Sequence, residues 1–98
     1  MECTHQELAL NDRRNVELTA YTTTGDEFLP SGASYLIRNL KHSTVIPLTS
    51  AYVNRNKIHT QIPLTVTASA GLYEILWEIR KNGETFYHCT RLLVNEAC

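Results

Sequence analysis

Two runs of alternating apolar and polar residues, Leu72 to Lys81 and Glu84 to Val94, meet at Asn82-Gly83, and that junction leaves the chain little choice of local structure. Alternation with a period of two marks a half-buried strand, because successive side chains point to opposite faces of a sheet. Asn-Gly suits a two-residue type I′ turn, whose central positions both need positive φ. The segment therefore predicts a β-hairpin. In its first arm Tyr73, Ile75, Trp77 and Ile79 share the face expected to turn inward, while Glu74, Leu76, Glu78 and Arg80 share the other, read as a solvated face. In the second arm Phe86, His88, Thr90, Leu92 and Val94 oppose Tyr87, Cys89, Arg91 and Leu93, so neither face is wholly polar. A strand apolar on both faces is either covered on both or carries a patch that another chain covers. The second reading is favoured.

The rest of the chain repeats the pattern. Asn15 to Thr23 places Val16, Leu18 and Ala20 on one face, and turn chemistry follows at Thr24 to Glu27 and at Leu29 to Gly32. Ala33, Tyr35 and Ile37 alternate in the next strand. Thr44 to Leu48 contains Pro47, which cannot donate to a ladder and so predicts an edge. A polar turn at Asn54 to Lys57 precedes alternating Ile58, Thr60 and Ile62, and Thr65 to Gly71 reads as a loop crossing between sheets. Residues 1–14 predict an N-terminal arm or weak first strand, and 15–98 a single domain. The expectation is an all-β immunoglobulin-like sandwich of about seven antiparallel strands in two sheets. Its core is Trp77, Ile75, Tyr73, Ile79, Val16, Leu18, Ile37 and Ile62.

Nine Lys plus Arg against ten Asp plus Glu give a net charge of −1, so no overall field draws the chain to nucleic acid or to an acidic membrane. The opening Met1-Glu2-Cys3-Thr4-His5 lacks a signal-peptide pattern, which predicts synthesis in a cytoplasm. Cys3, Cys89 and Cys98 are odd in number and lack CxxC spacing, so all three are expected to stay reduced. A pairing of Cys3 with Cys98 is left open.

The residue pattern holds no recognisable catalytic set. Glu74 and Glu78, four residues apart on one strand, would stand roughly 13 Å apart, beyond the carboxylate spacing of glycosidases. His5, His42, His59 and His88 show no local metal-ligand spacing. His88 and Cys89 are adjacent on a strand and face opposite ways. No catalytic residue, cofactor or metal ligand is therefore expected. Arg13-Arg14, Lys41-His42 and Arg55-Asn56-Lys57 read as solubilising loops. Tyr21, Tyr35, Tyr52 and Tyr87 could instead form a sugar-stacking platform, so a surface glycan is the alternative ligand.

Gly71-Leu72-Tyr73 places a tyrosine near the start of the penultimate strand, which resembles the tyrosine corner of immunoglobulin-type sandwiches, although Ile75 replaces the second cysteine of antibody domains. Val16 to Val94, with Gly25-Asp26, Gly32, Ile58 to Pro63, Gly71-Leu72-Tyr73, Arg80-Lys81-Asn82-Gly83 and Leu92-Leu93-Val94, resembles the immunoglobulin-like modules of tailed-bacteriophage virion proteins. Relatives of that kind include capsid decoration proteins and the N-terminal domain of baseplate upper proteins. The resemblance implies a non-enzymatic decoration protein bound to a capsid lattice, with a baseplate or tail module and a carbohydrate-binding module as alternatives. It implies viral structural proteins as partners, a homo-oligomer on the particle, and residence in the virion. The expected protein interface is Leu76, Tyr87, Arg91 and Leu93, beside Cys89, with Met1 to Arg14 as an arm.

Overall fold

In the computed structural model Asn82 and Gly83 have φ of 49° and 83°, as the type I′ turn demands. The turn joins β7 (Gly71–Lys81) to β8 (Glu84–Asn95) in unbroken register from Lys81 opposite Glu84 to Gly71 opposite Val94. The structure describes residues 3–12, 14–21, 25–39 and 43–95. Before the hairpin come β1 (Cys3–Ala9), β2 (Asn15–Thr19), β3 (Gly32–Asn39), β4 (Thr44–Ser50), β5 (Tyr52–Asn54), β6 (Lys57–Gln61) and the single helical turn α1 (Leu64–Thr67).

These strands form a five-stranded sheet of order β1-β8-β7-β3-β4 and a three-stranded sheet of order β2-β6-β5. The order is that of an immunoglobulin-type sandwich, with β2, β6 and β5 in one sheet and β3, β7 and β8 in the other. Among the described residues there are eight strands, in keeping with the expected sandwich of about seven, and one pairing is not antiparallel: β1 runs parallel to β8. Between arm and first strand, the described residues of the N-terminal segment form the strand. Its link to β2 is anchored to α1, where Asn11 N–H donates to the Thr67 carbonyl at 2.9 Å and the Thr67 hydroxyl to the Asp12 carbonyl at 3.0 Å.

Trp77, Ile75, Ile79, Val16, Ile37 and Ile62 are buried between the sheets, with Tyr73 and Leu18 packed at the margin. Leu8, Phe28, Tyr35, Ile58, Val66, Leu92 and Val94 join the core, with the small Ala20 and Ala33 between them. Phe28 belongs to no strand, yet its ring lies 5.1 Å from that of Phe86 and caps one end. The Tyr73 hydroxyl donates to the Ser69 carbonyl at 3.4 Å, the expected corner. Chain crossing between sheets does occur over residues 62–71, but through α1 rather than through a loop alone. Pro47 lies in β4, at the edge of the large sheet, beside a register shift against β3.

Candidate functional site

Strand register turns the outward residues of the large sheet into cross-strand rows. Arg38, Glu74, Arg91 and His5 form one row across β3, β7, β8 and β1; Leu36, Leu76, Cys89 and Cys3 form the next. Leu72, Leu93 and Glu7 lie on one side of these rows, and Ser34, Glu78 and Tyr87 on the other. The four residues expected at an interface, Leu76, Tyr87, Arg91 and Leu93, thus share one face. Tyr87 and Arg91 are exposed, while Leu76 and Leu93 are half-buried.

At the centre of this face lies Glu74, only 7% exposed. Its solvated placement from the sequence is overturned, because apolar rows flank it and two guanidinium groups close over its carboxylate. Arg38 donates to Oε2 from Nε at 3.3 Å and from Nη2 at 3.0 Å, and Arg91 Nε approaches Oε1 at 3.8 Å. Arg38 is the closer partner. Each arginine keeps a substantial exposed fraction, 30% and 51% of its side chain, so the row offers positive charge outward while its carboxylate is satisfied within. A depression of about 240 Å³ opens beside it, lined by His5, Glu7, Leu72, Arg91 and Leu93 among others.

Cys89 is no part of the exposed patch. It is bonded to Cys3, and this overturns the expectation that all three thiols stay reduced. The physical reason is the parallel β1–β8 pairing, which sets Cys3 directly opposite Cys89 on one face, with Cα atoms 4.6 Å apart. Cys3 is thereby committed within the chain; Cys98, the other partner considered, lies outside the described residues.

Behind the face, Trp77 Nε1–H donates to the Thr90 hydroxyl at 3.0 Å, Thr90 and Thr4 hydroxyls bond at 3.1 Å, and the Thr4 hydroxyl lies 3.3 Å from His88 Nε2. His88 faces inward beside Trp77 and away from Cys89, and burial lowers its pKa below the ordinary histidine value. A second depression, about 320 Å³, separates the edges of the two sheets and is lined by Thr4, Gln6, Val16, Glu17, Leu18, Tyr21, His88 and other residues.

The tyrosines do not assemble into one platform. Tyr35 is buried against Trp77, Tyr52 stacks on His59 with ring centres 5.4 Å apart on the small sheet, and Tyr87 stands on the large one. Arg13, Lys41 and His42, of the expected basic loops, lie outside the described residues, while Arg14 pairs with Asp12 at 3.4 Å. Among the described residues no cluster of three or more His, Cys, Asp or Glu side chains could hold a metal ion, and no helix is long and apolar enough to cross a membrane. Arg38, Leu36 and Leu72 are members of the face that sequence reasoning did not single out, and Glu74 was singled out only as part of a solvated face. No family model matches the chain, and a search of curated proteins finds no match either.

Proposed function

We propose that this chain is a non-enzymatic accessory protein of a tailed-phage particle, holding a repeating capsid or tail protein through the outer face of its five-stranded sheet. The observation that carries the reading is the composition of that face: exposed Tyr87 and Leu72, half-buried Leu76 and Leu93, and a central row in which two partly exposed arginines flank a buried glutamate. Aromatic and arginine residues set among aliphatic ones are the usual makings of a binding centre. The fitting partner is a protein surface that is apolar with a carboxylate at its middle. The small sheet presents a more polar outer face, with Asn15, Glu17, Thr19, Lys57, His59 and Gln61 outermost, and is the weaker candidate. The Cys3–Cys89 bond suits a protein that works on a particle surface outside the reducing cytoplasm.

The test is particle binding by the combined variant Arg91→Glu with Leu93→Asp. Both positions lie on the outward face and Arg38 still pairs Glu74, so the variant should keep the circular dichroism spectrum of the folded chain, at reduced stability because residue 91 opposes Glu74, while binding is lost. Full occupancy of the double variant on particles would refute this face as the contact.

A further inference from the structure

We propose that the free edge of β2 pairs antiparallel with β2 of a second copy, joining two small sheets edge to edge. This goes beyond the outer-face reading and uses the other sheet.

Among the described residues four strands lie at sheet edges, β1, β4, β2 and β5. Pro47 and the register shift guard β4, and β5 is only Tyr52–Asn54. β2 has neither proline nor bulge. Its hydrogen-bonding phase is set by its flanks: the Arg14 carbonyl accepts from Ile62 N–H at 3.2 Å, and Ala20 N–H donates to the Asn56 carbonyl at 2.9 Å. The same register pairs Val16 with Thr60 and Leu18 with Ile58. Even-numbered residues therefore direct their amides to β6, and Asn15, Glu17 and Thr19 direct theirs to the open edge.

A two-fold pairing must oppose odd residues to odd. Centred on Glu17, it would set two carboxylates face to face, which is unfavourable. Centred on Leu18, it sets Glu17 opposite Thr19 of the second copy. That register supplies a cation, because Lys57 Nζ rests on the Thr19 hydroxyl at 2.6 Å. Among the described residues neither Glu17 nor Lys57 has an ion-pair partner within its own chain. Each copy therefore offers Glu17 to the other's Lys57, twice over by symmetry. At the axis half-buried Leu18 meets its counterpart and covers the apolar floor of the 320 Å³ depression that Val16 and Leu18 help to line. So short an edge makes a weak, concentration-dependent dimer.

Sedimentation velocity of the whole chain from micromolar to millimolar concentration tests this. The natural sequence should dimerise, Glu17→Lys and Lys57→Glu should each weaken the dimer by about tenfold, and the combined exchange should restore it. In a Cys98→Ser background, Leu18→Cys should close a bond between copies, because Leu18 sits at the close-approach pair on the axis. A monomer at every concentration, a dimer indifferent to both charge reversals, or no recovery in the exchange would overturn the proposal. The Arg91→Glu with Leu93→Asp variant should dimerise normally, so failure of the outer-face reading and failure of this one are distinguishable.

Discussion

Removing the disulfide by Cys3→Ser with Cys89→Ser should cost a large share of the stability of this domain. The bond spans a sequence separation of 86 residues, so it closes almost the whole chain into one loop when unfolded. Loop-closure entropy for a span of that length gives about 4.6 kcal/mol at room temperature, against a total of roughly 5 to 15 kcal/mol for a domain. The structure says where the loss is felt: β1 is an edge strand, hydrogen-bonded on one side only, and parallel to its neighbour. Urea unfolding followed by Trp77 fluorescence, in a Cys98→Ser background that silences thiol exchange, reads the effect. The midpoint should fall by roughly 2 to 4 M relative to the bonded form. Thiol titration of the natural chain under native conditions should count no more than one free sulfhydryl. A midpoint shift below about 0.5 M, with the bonded state of the reference verified by mass, would refute the loop-closure reasoning.

Trp77→Ala should cost about 3 to 5 kcal/mol in urea unfolding followed by far-UV circular dichroism, since the side chain is 1% exposed and its indole N–H is bonded to Thr90. Iodide should fail to quench the native Trp77 emission; full quenching would place the ring outside the core. For His88, burial lowers the folded pKa below the unfolded value, so the unfolded chain takes up the proton first as pH falls. Its contribution is therefore fully present above the unfolded pKa of about 6.5 and is lost as pH falls from there through the folded pKa. Unfolding free energies measured from pH 7.5 down to 5 should fall less steeply in His88→Gln than in the natural chain, and identical slopes would refute the assignment.

The readable parts of this fold are those governed by local chemistry. Asn82-Gly83 announces its turn because few other residues accept its dihedral angles, Pro47 announces an edge because it lacks an amide hydrogen, and Tyr73 follows Gly71 at the spacing its corner requires. Alternation also sorted Tyr87, Arg91, Leu93 and Leu76 onto one face. It could not say what lies beside that face. Glu74 falls on an outward position by periodicity, yet its burial depends on Arg38, delivered by the register of β3 against β7, and no pattern within either strand encodes that register. The cysteine pair escaped for the same reason: parallel pairing of the first strand with the last has no hairpin turn to betray it. A helix of four residues is likewise too short to show a helical period, and Phe28 is buried from a loop.

The arrangement around Glu74 separates the energetics of the sheet from those of recognition. An ion pair taken out of water recovers little net free energy compared with apolar residues of the same volume, and the neighbouring rows Leu36–Leu76 and Leu72–Leu93 display that simpler solution on the same sheet. The two arginines are also unequal. Arg38 holds Oε2 through two nitrogens at 3.3 and 3.0 Å, whereas Arg91 stands 3.8 Å from Oε1 with half its side chain in solvent. On the proposed outer-face reading, a partner carboxylate arriving there would take Arg91 away from Glu74 without stranding the glutamate, because Arg38 continues to satisfy it. The Arg91 guanidinium stands beside exposed Leu72 and half-buried Leu93, where an apolar partner surface would exclude water and strengthen a new charge pair. On this reading Glu74 is a positioning residue, keeping Arg91 extended across the sheet until the partner's carboxylate replaces its own.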